Sequence, residues 1–171
     1  RIHKWDKEME DRHNIFLEEK RRLKSRPPRV LLLKDNDVCS RLLLTVLKQY
    51  HPESHVRICE NITQAMVEME IMEYDMIALD MNQQQVFPEL FIEVIQQQHE
   101  YLHVFLLNQS TSSKLPIMNS KFHLVEPSIR KRDISRMIKN VFKSHAIMRH
   151  KRLHRNFSAV DQKMQRLKNS A

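Results

Sequence analysis

Five polar positions stand out because each follows a short apolar run. Lys34 and Asp35 follow residues 30–33, Asp80 closes residues 76–79, Asn108 follows residues 104–107, and Glu126 follows residues 122–125. Ligands in open parallel sheets bind outside the carboxyl ends of the strands. If these runs are such strands, three carboxylates, an ammonium group and an amide lie at one edge.

Other groups with chemical potential are less organised. The ten histidines are scattered, and the densest set is His145, His150 and His154. With no Cys or carboxylate at ligand spacing, these read as a solvated basic face and not as a zinc site. Ser110, Ser112 and Ser113 have no His-Asp partner suggested by any motif, so nucleophilic catalysis has no support. Cys39 and Cys59 are too few for a disulfide framework and read as small core residues in a reducing compartment. There is no glycine in the 171 residues, which removes the material of Walker-type and dinucleotide-type phosphate loops.

The elements that must position the five polar groups follow from periodicity. Residues 30–33, 76–79, 104–107 and 122–125 are short, mainly apolar runs without alternation, as expected for strands buried on both faces. Residues 55–59 form a weaker strand. Between them lie helical patterns. One carries Val38, Leu42, Leu43, Val46, Leu47 and Tyr50. Another is opened by the capping box Asn61/Gln64 and turns Ile62, Ala65, Met66, Met69 and Met72 inward. A third has Pro88 at its first position and turns Leu90, Phe91, Val94 and Ile95 inward. The last begins near Ser128 and carries Ile134, Met137, Ile138, Val141 and Phe142. Alternation of this kind predicts an α/β fold, a five-stranded doubly wound parallel sheet with strands at 29–34, 55–59, 75–80, 103–108 and 122–126. The stretch 108–122 is short for a loop plus a helix.

Helical extensions flank this core. Residues 1–26 form an amphipathic helix and linker, with Ile2, Met9, Phe16 and Leu23 seven residues apart, closed by Pro27-Pro28. Arg12 and Glu19 interrupt the second seam line of a coiled coil. Residues 29–143 form the α/β domain, and 144–171 a basic amphipathic helix. The net charge of +8 is uneven. From Ser128 onward 13 Lys/Arg face 2 Asp/Glu, whereas residues 1–127 hold 16 and 19. An acidic partner is therefore to be sought at the C-terminal segment. No apolar run approaches the roughly 20 residues of a membrane span. No signal-peptide pattern is present, and a chain beginning at Arg1 reads as part of something longer.

The stretches RVLLLKDNDVCSRLLL (29–44), YDMIALDM (74–81) and HLVEPS (123–128) resemble the receiver domain of response regulators, the CheY-like fold, over residues 29–143. The resemblance implies an acidic pair after the first strand, a phosphorylated Asp after the third, Ser or Thr after the fourth and Lys-Pro after the fifth. Asp35 matches the second acid and Asp80 the phosphoacceptor. Lys34 stands in place of the first acid, Asn108 in place of Ser or Thr, and Glu126 in place of the Lys before Pro127. The resemblance is therefore to a degenerate pseudo-receiver. Base and acid have exchanged strands, which keeps the pocket's charge near balance while opposing phosphotransfer. Lys34 is expected within ion-pair reach of Asp80, Glu126 or both. No cofactor and no bound metal are expected.

At the C-terminus Leu153, Phe157, Val160, Met164 and Leu167 are spaced 4, 3, 4, 3 and form a heptad seam. Arg149, Lys151, Arg152 and Arg155 lie on the surrounding faces. This segment is expected to dock on a partner. The leading expectation is a non-catalytic interaction or scaffolding module, intracellular in the cytoplasm or nucleus, fastened to protein partners by its flanking helices. The rivals are a working phosphorelay receiver phosphorylated on Asp80, and a polyanion-binding module directed to nucleic acid or an acidic cytoskeletal surface.

Overall fold

The computed structural model describes residues 2–33, 38–80, 88–99, 101–107 and 121–170. The order is α1 (Ile2–Ser25), β1 (Arg29–Leu33), α2 (Val38–Tyr50), β2 (His55–Cys59), α3 (Ile62–Ile71), β3 (Met76–Asp80), α4 (Pro88–Gln98), β4 (His103–Leu107), β5 (Phe122–Val125) and α5 (Lys131–Ser170). The strands form one parallel sheet in the order β2-β1-β3-β4-β5. The chain separates into two compact units, one of residues 27–145 and one of residues 1–26 with 146–171.

In the first unit the apolar runs account for the sheet. The three inner strands β1, β3 and β4 are buried almost throughout, whereas β2 and β5 lie at the edges and are partly exposed. Successive side chains of a strand point to opposite faces, and two cores result. Val30, Leu32, Met76, Ala78, Phe105 and Leu107 meet α2 and α5 on one face. Leu31, Leu33, Ile77, Leu79, Val104 and Leu106 meet α3 and α4 on the other. Each fully buried side chain of this size stabilises the fold by about 1.5–3 kcal/mol. Cys39 and Cys59 are both buried free thiols, one in each core. Burial, followed by the nearby Glu68, pushes the Cys59 thiol pKa up.

The helices form where the periodicity predicts, with shifted faces. In α4, Phe91, Ile92 and Ile95 are buried while Leu90 is 63% exposed, so Ile92 takes the place expected of Leu90. Val38 and Tyr50 in α2, and Met66 and Met72 at α3, are exposed. A helix needs only about a third of its circumference to contact a sheet, and these residues fall outside that third. The cap of α3 forms as read. Asn61 Oδ1 accepts from Gln64 N at 2.8 Å, and Gln64 Oε1 accepts from Glu60 N at 2.8 Å, one residue earlier than in the usual box.

In the second unit α1 and the C-terminal part of α5 run antiparallel. Arg12 Nε donates to Asp161 Oδ1 at 2.9 Å, and Lys168 Nζ lies 3.8 Å from Asp6 Oδ1. Phe16 packs edge-on against His154 and Phe157, with ring centroids 5.0 Å away in each case. The two charges that interrupt the seam of α1 are thereby accounted for. Arg12 pairs across the helices and also lies 5.6 Å from the Phe157 ring centre, and Glu19 pairs with Arg22 within α1 at 2.8 Å. The cross-helix pair is partly shielded, so a double-mutant cycle over Arg12→Ala and Asp161→Ala is expected to give a coupling of about 0.5–1 kcal/mol. A coupling indistinguishable from zero would leave the aromatic contacts as what joins the helices.

Candidate functional site

The carboxyl edge of the sheet is formed by the ends of β1, β3, β4 and β5. Asp80 is the last residue of β3, level with Leu107 of β4, which is in turn level with Val125 of β5. Asp80 is only 4% exposed. Glu126 follows Val125 directly and is exposed, as are Pro127 and Ser128. The edge thus joins one shielded carboxylate to one that faces water. Lys34, Asp35 and Asn108 lie outside the described residues, and so do residues 108–120, where the shortened connection is expected. The expected contact of Lys34 with Asp80 or Glu126 therefore falls outside them too. Among the described residues, no group of three or more His, Cys, Asp or Glu side chains is arranged to hold a metal ion.

A second polar cluster lies at the opposite, amino end of the same sheet, and the sequence reading missed it. Asp75, just before β3, is 1% exposed. Its Oδ2 accepts from the amide of Arg29 at 2.7 Å, and its own amide donates to the Arg29 carbonyl at 2.8 Å. Its Oδ1 lies 2.7 Å from Nδ1 of His145, which is 3% exposed. The contact is close but lacks the alignment of a hydrogen bond. His145 was expected on a solvated basic face; it is buried because α5 turns it toward the sheet beside Asp75. Nearby, His103 Nδ1 and His123 Nε2 are 3.0 Å apart with their rings stacked. Burial, and then the neighbouring His123, push the His103 pKa down to about 4; burial also lowers that of His123. The available signal was a pair of histidines entering adjacent strands, which the β4–β5 register brings together.

The C-terminal seam is rearranged. Leu153, Phe157 and Met164 are half-buried, and Phe157 meets Phe16 and Arg12 of α1. Asp161 occupies the inward position expected of Val160, while Val160 is 42% exposed and Leu167 is 54% exposed. The reason is geometric: the strict heptad drifts against about 3.6 residues per turn, and Arg12 holds Asp161 inward. Arg149 is buried and is not part of the exposed basic face, on which Lys151, Arg152 and Arg155 remain. A groove of about 290 Å³ between the helices is lined by Met9, Arg12, Phe16, His154 and Asp161, among others. No described helix is long and apolar enough to cross a membrane.

Sheet order, the alternation of parallel strands with helices and a buried Asp at the end of the third strand together define the receiver fold. The solved structures agree. A signal receiver domain of an HD-domain-containing protein from Pseudomonas fluorescens superposes with a TM-score of 0.62 at 18% identity, over 73% of this chain and 93% of that one. A protein described as adenylate cyclase from Rhodopirellula baltica gives 0.60 at 18% identity, over 74% and 96%. The response regulator TrrA from Thermotoga maritima, solved with Mg²⁺ and BeF, gives 0.52 at 16% identity, over 67% and 98%. No protein-family model matches the sequence. No curated protein matches it either.

Proposed function

We propose that this chain is a non-catalytic pseudo-receiver: a receiver-fold module that binds protein partners and no longer carries out phosphotransfer. The observation that carries this reading is the exchange of charges at the strand ends, with Lys34 after β1 where an acid belongs and Glu126 after β5 where a base belongs. Phosphoryl transfer to Asp80 needs a cation to offset the incoming charge. Mg²⁺ demands near-octahedral oxygen ligands, carboxylates among them. An ammonium group in the donor set repels a dication, so the residues present do not suit Mg²⁺. Glu126 would further repel a phosphoryl group, where a Lys would neutralise it. On this reading the Lys34 ammonium replaces the metal as countercharge to the shielded Asp80. The flanking helices supply the surfaces for partners.

Incubation with acetyl phosphate and Mg²⁺, followed by intact mass spectrometry, tests the reading. The expected result is an unchanged mass. A gain of one phosphoryl group that vanishes in Asp80→Asn would restore the rival, a working phosphorelay receiver. The second rival, a polyanion-binding module, is favoured by the basic C-terminal segment and predicts affinity for nucleic acid.

A further inference from the structure

The two-helix unit has a charge distribution that its internal packing leaves unexplained. Residues 1–26 and 146–171 together hold 16 Lys/Arg and 7 Asp/Glu, a net of +9. Asp161 is the sole acid in residues 146–171, and it faces Arg12 of α1. Lys151, Arg155, Lys163 and Arg166 are all exposed. At about 3.6 residues per turn, these four fall within roughly a third of the helix circumference, opposite the side that carries Leu153, Phe157, Asp161 and Met164. They span about 22 Å along the axis. The outer side of this part of α5 is thus a cationic stripe without an acid of its own segment.

One border of the stripe is apolar. Val160 and Leu167, seven residues apart, are both well exposed and lie between the stripe and the α1-facing side. We infer that this face is a docking surface for an acidic amphipathic helix of a partner protein. Its apolar residues would cover Val160 and Leu167, and its carboxylates would meet the four cations. Charge complementarity selects an acidic occupant. The apolar border selects a protein helix over nucleic acid, since a phosphate backbone gains nothing from Val and Leu, and aromatic stacking platforms for bases are missing from the stripe. A second copy of the unit is opposed by its own net charge of +9. The inference rests on the reading of the chain as a protein-interaction module and specifies the chemistry of the partner.

The probe is a labelled synthetic helical peptide with Glu along one face and Leu at seven-residue intervals on the adjacent face. Its binding to the full chain is followed by fluorescence anisotropy, beside a peptide of the same composition in scrambled order. The ordered peptide is expected to bind at least about tenfold more tightly. Val160→Ser with Leu167→Ser should remove most of that preference, and Arg155→Glu with Arg166→Glu should abolish binding to both peptides. Circular dichroism checks that these solvent-facing changes leave the helices intact. Affinity should also fall with salt, but less steeply than for a purely electrostatic complex. Equal binding of both peptides, no binding of either, or tighter binding of duplex DNA or of anionic vesicles would overturn the inference, as would a dimer by analytical ultracentrifugation that masks the face. None of these outcomes depends on whether Asp80 accepts a phosphoryl group, so failure here is distinguishable from failure of the pseudo-receiver reading.

Discussion

Replacing Asp75 by Ala is expected to destabilise the sheet-bearing unit by about 1.5–3 kcal/mol, the range for losing a hydrogen bond to a charged group. Asp75 has two functions at the amino end of the sheet. It accepts from the first amide of β1, and it lies against the buried ring of His145. Truncation leaves a buried N–H without its acceptor and an imidazole without its carboxylate. Total stabilities of domains run to only about 5–15 kcal/mol, so the loss is a large fraction. Asp75→Asn should cost less, because an amide oxygen can still accept from Arg29. Asp75→Leu combined with His145→Leu should recover part of the loss, since replacing both leaves no buried imidazole without its partner. The sole tryptophan, Trp5, lies in α1 of the other unit. The readout is therefore urea denaturation followed by amide hydrogen exchange in β1 and β3. A loss under about 1 kcal/mol, the scale of an exposed pair, would show that the carboxylate does not govern this end of the sheet.

Stability should also fall on mild acidification, because of His103. Its ordinary pKa is 6.5, and in the folded chain burial, then His123, His145 and Lys121, lower it to about 4. Between those two values the unfolded chain binds a proton that the folded chain refuses. Stability from this source is complete above pH 6.5 and declines as the pH falls towards 4. Lowering a pKa by one unit corresponds to about 1.4 kcal/mol, so the loss over the full window is on the order of 2–3 kcal/mol once residual solvent screening is allowed for. His123 titrates in the same sense, because burial lowers its pKa as well. Carboxylates elsewhere also respond near the lower limit, so the informative quantity is a difference of slopes. The free energy of unfolding should vary less with pH across this window in His103→Asn than in the parent chain. Parallel profiles would show that the imidazole pair does not control the acid response.

Much of the fold is legible in residue order because its signals are local. The runs 30–33, 76–79 and 104–107 are apolar without alternation, and at four residues each between helical patterns they fit strands covered on both faces. Their lengths set the strands to within a residue. Asn61 with Gln64 marks the start of α3, and Pro88 that of α4, because caps and ring constraints act within a single turn. The placing of Asp80 at the end of β3 followed directly. What could not be read depends on groups far apart in the chain. Nothing near Asp75 announces that its carboxylate will meet a histidine 70 residues later, or near His103 that β5 will bring His123 to 3.0 Å. Likewise, the heptad spacing at 153, 157, 160 and 164 points to Val160 as the inward residue, yet Asp161 is turned inward. Arg12 on the opposing helix supplies the partner that keeps the Asp161 carboxylate on the α1-facing side. Backbone propensity and hydrophobic period are encoded within a few residues, and they determine which segments become strands and helices. Which polar groups are desolvated together, and hence which charges must be paired, is decided only when sheet register and helix packing bring distant residues into contact.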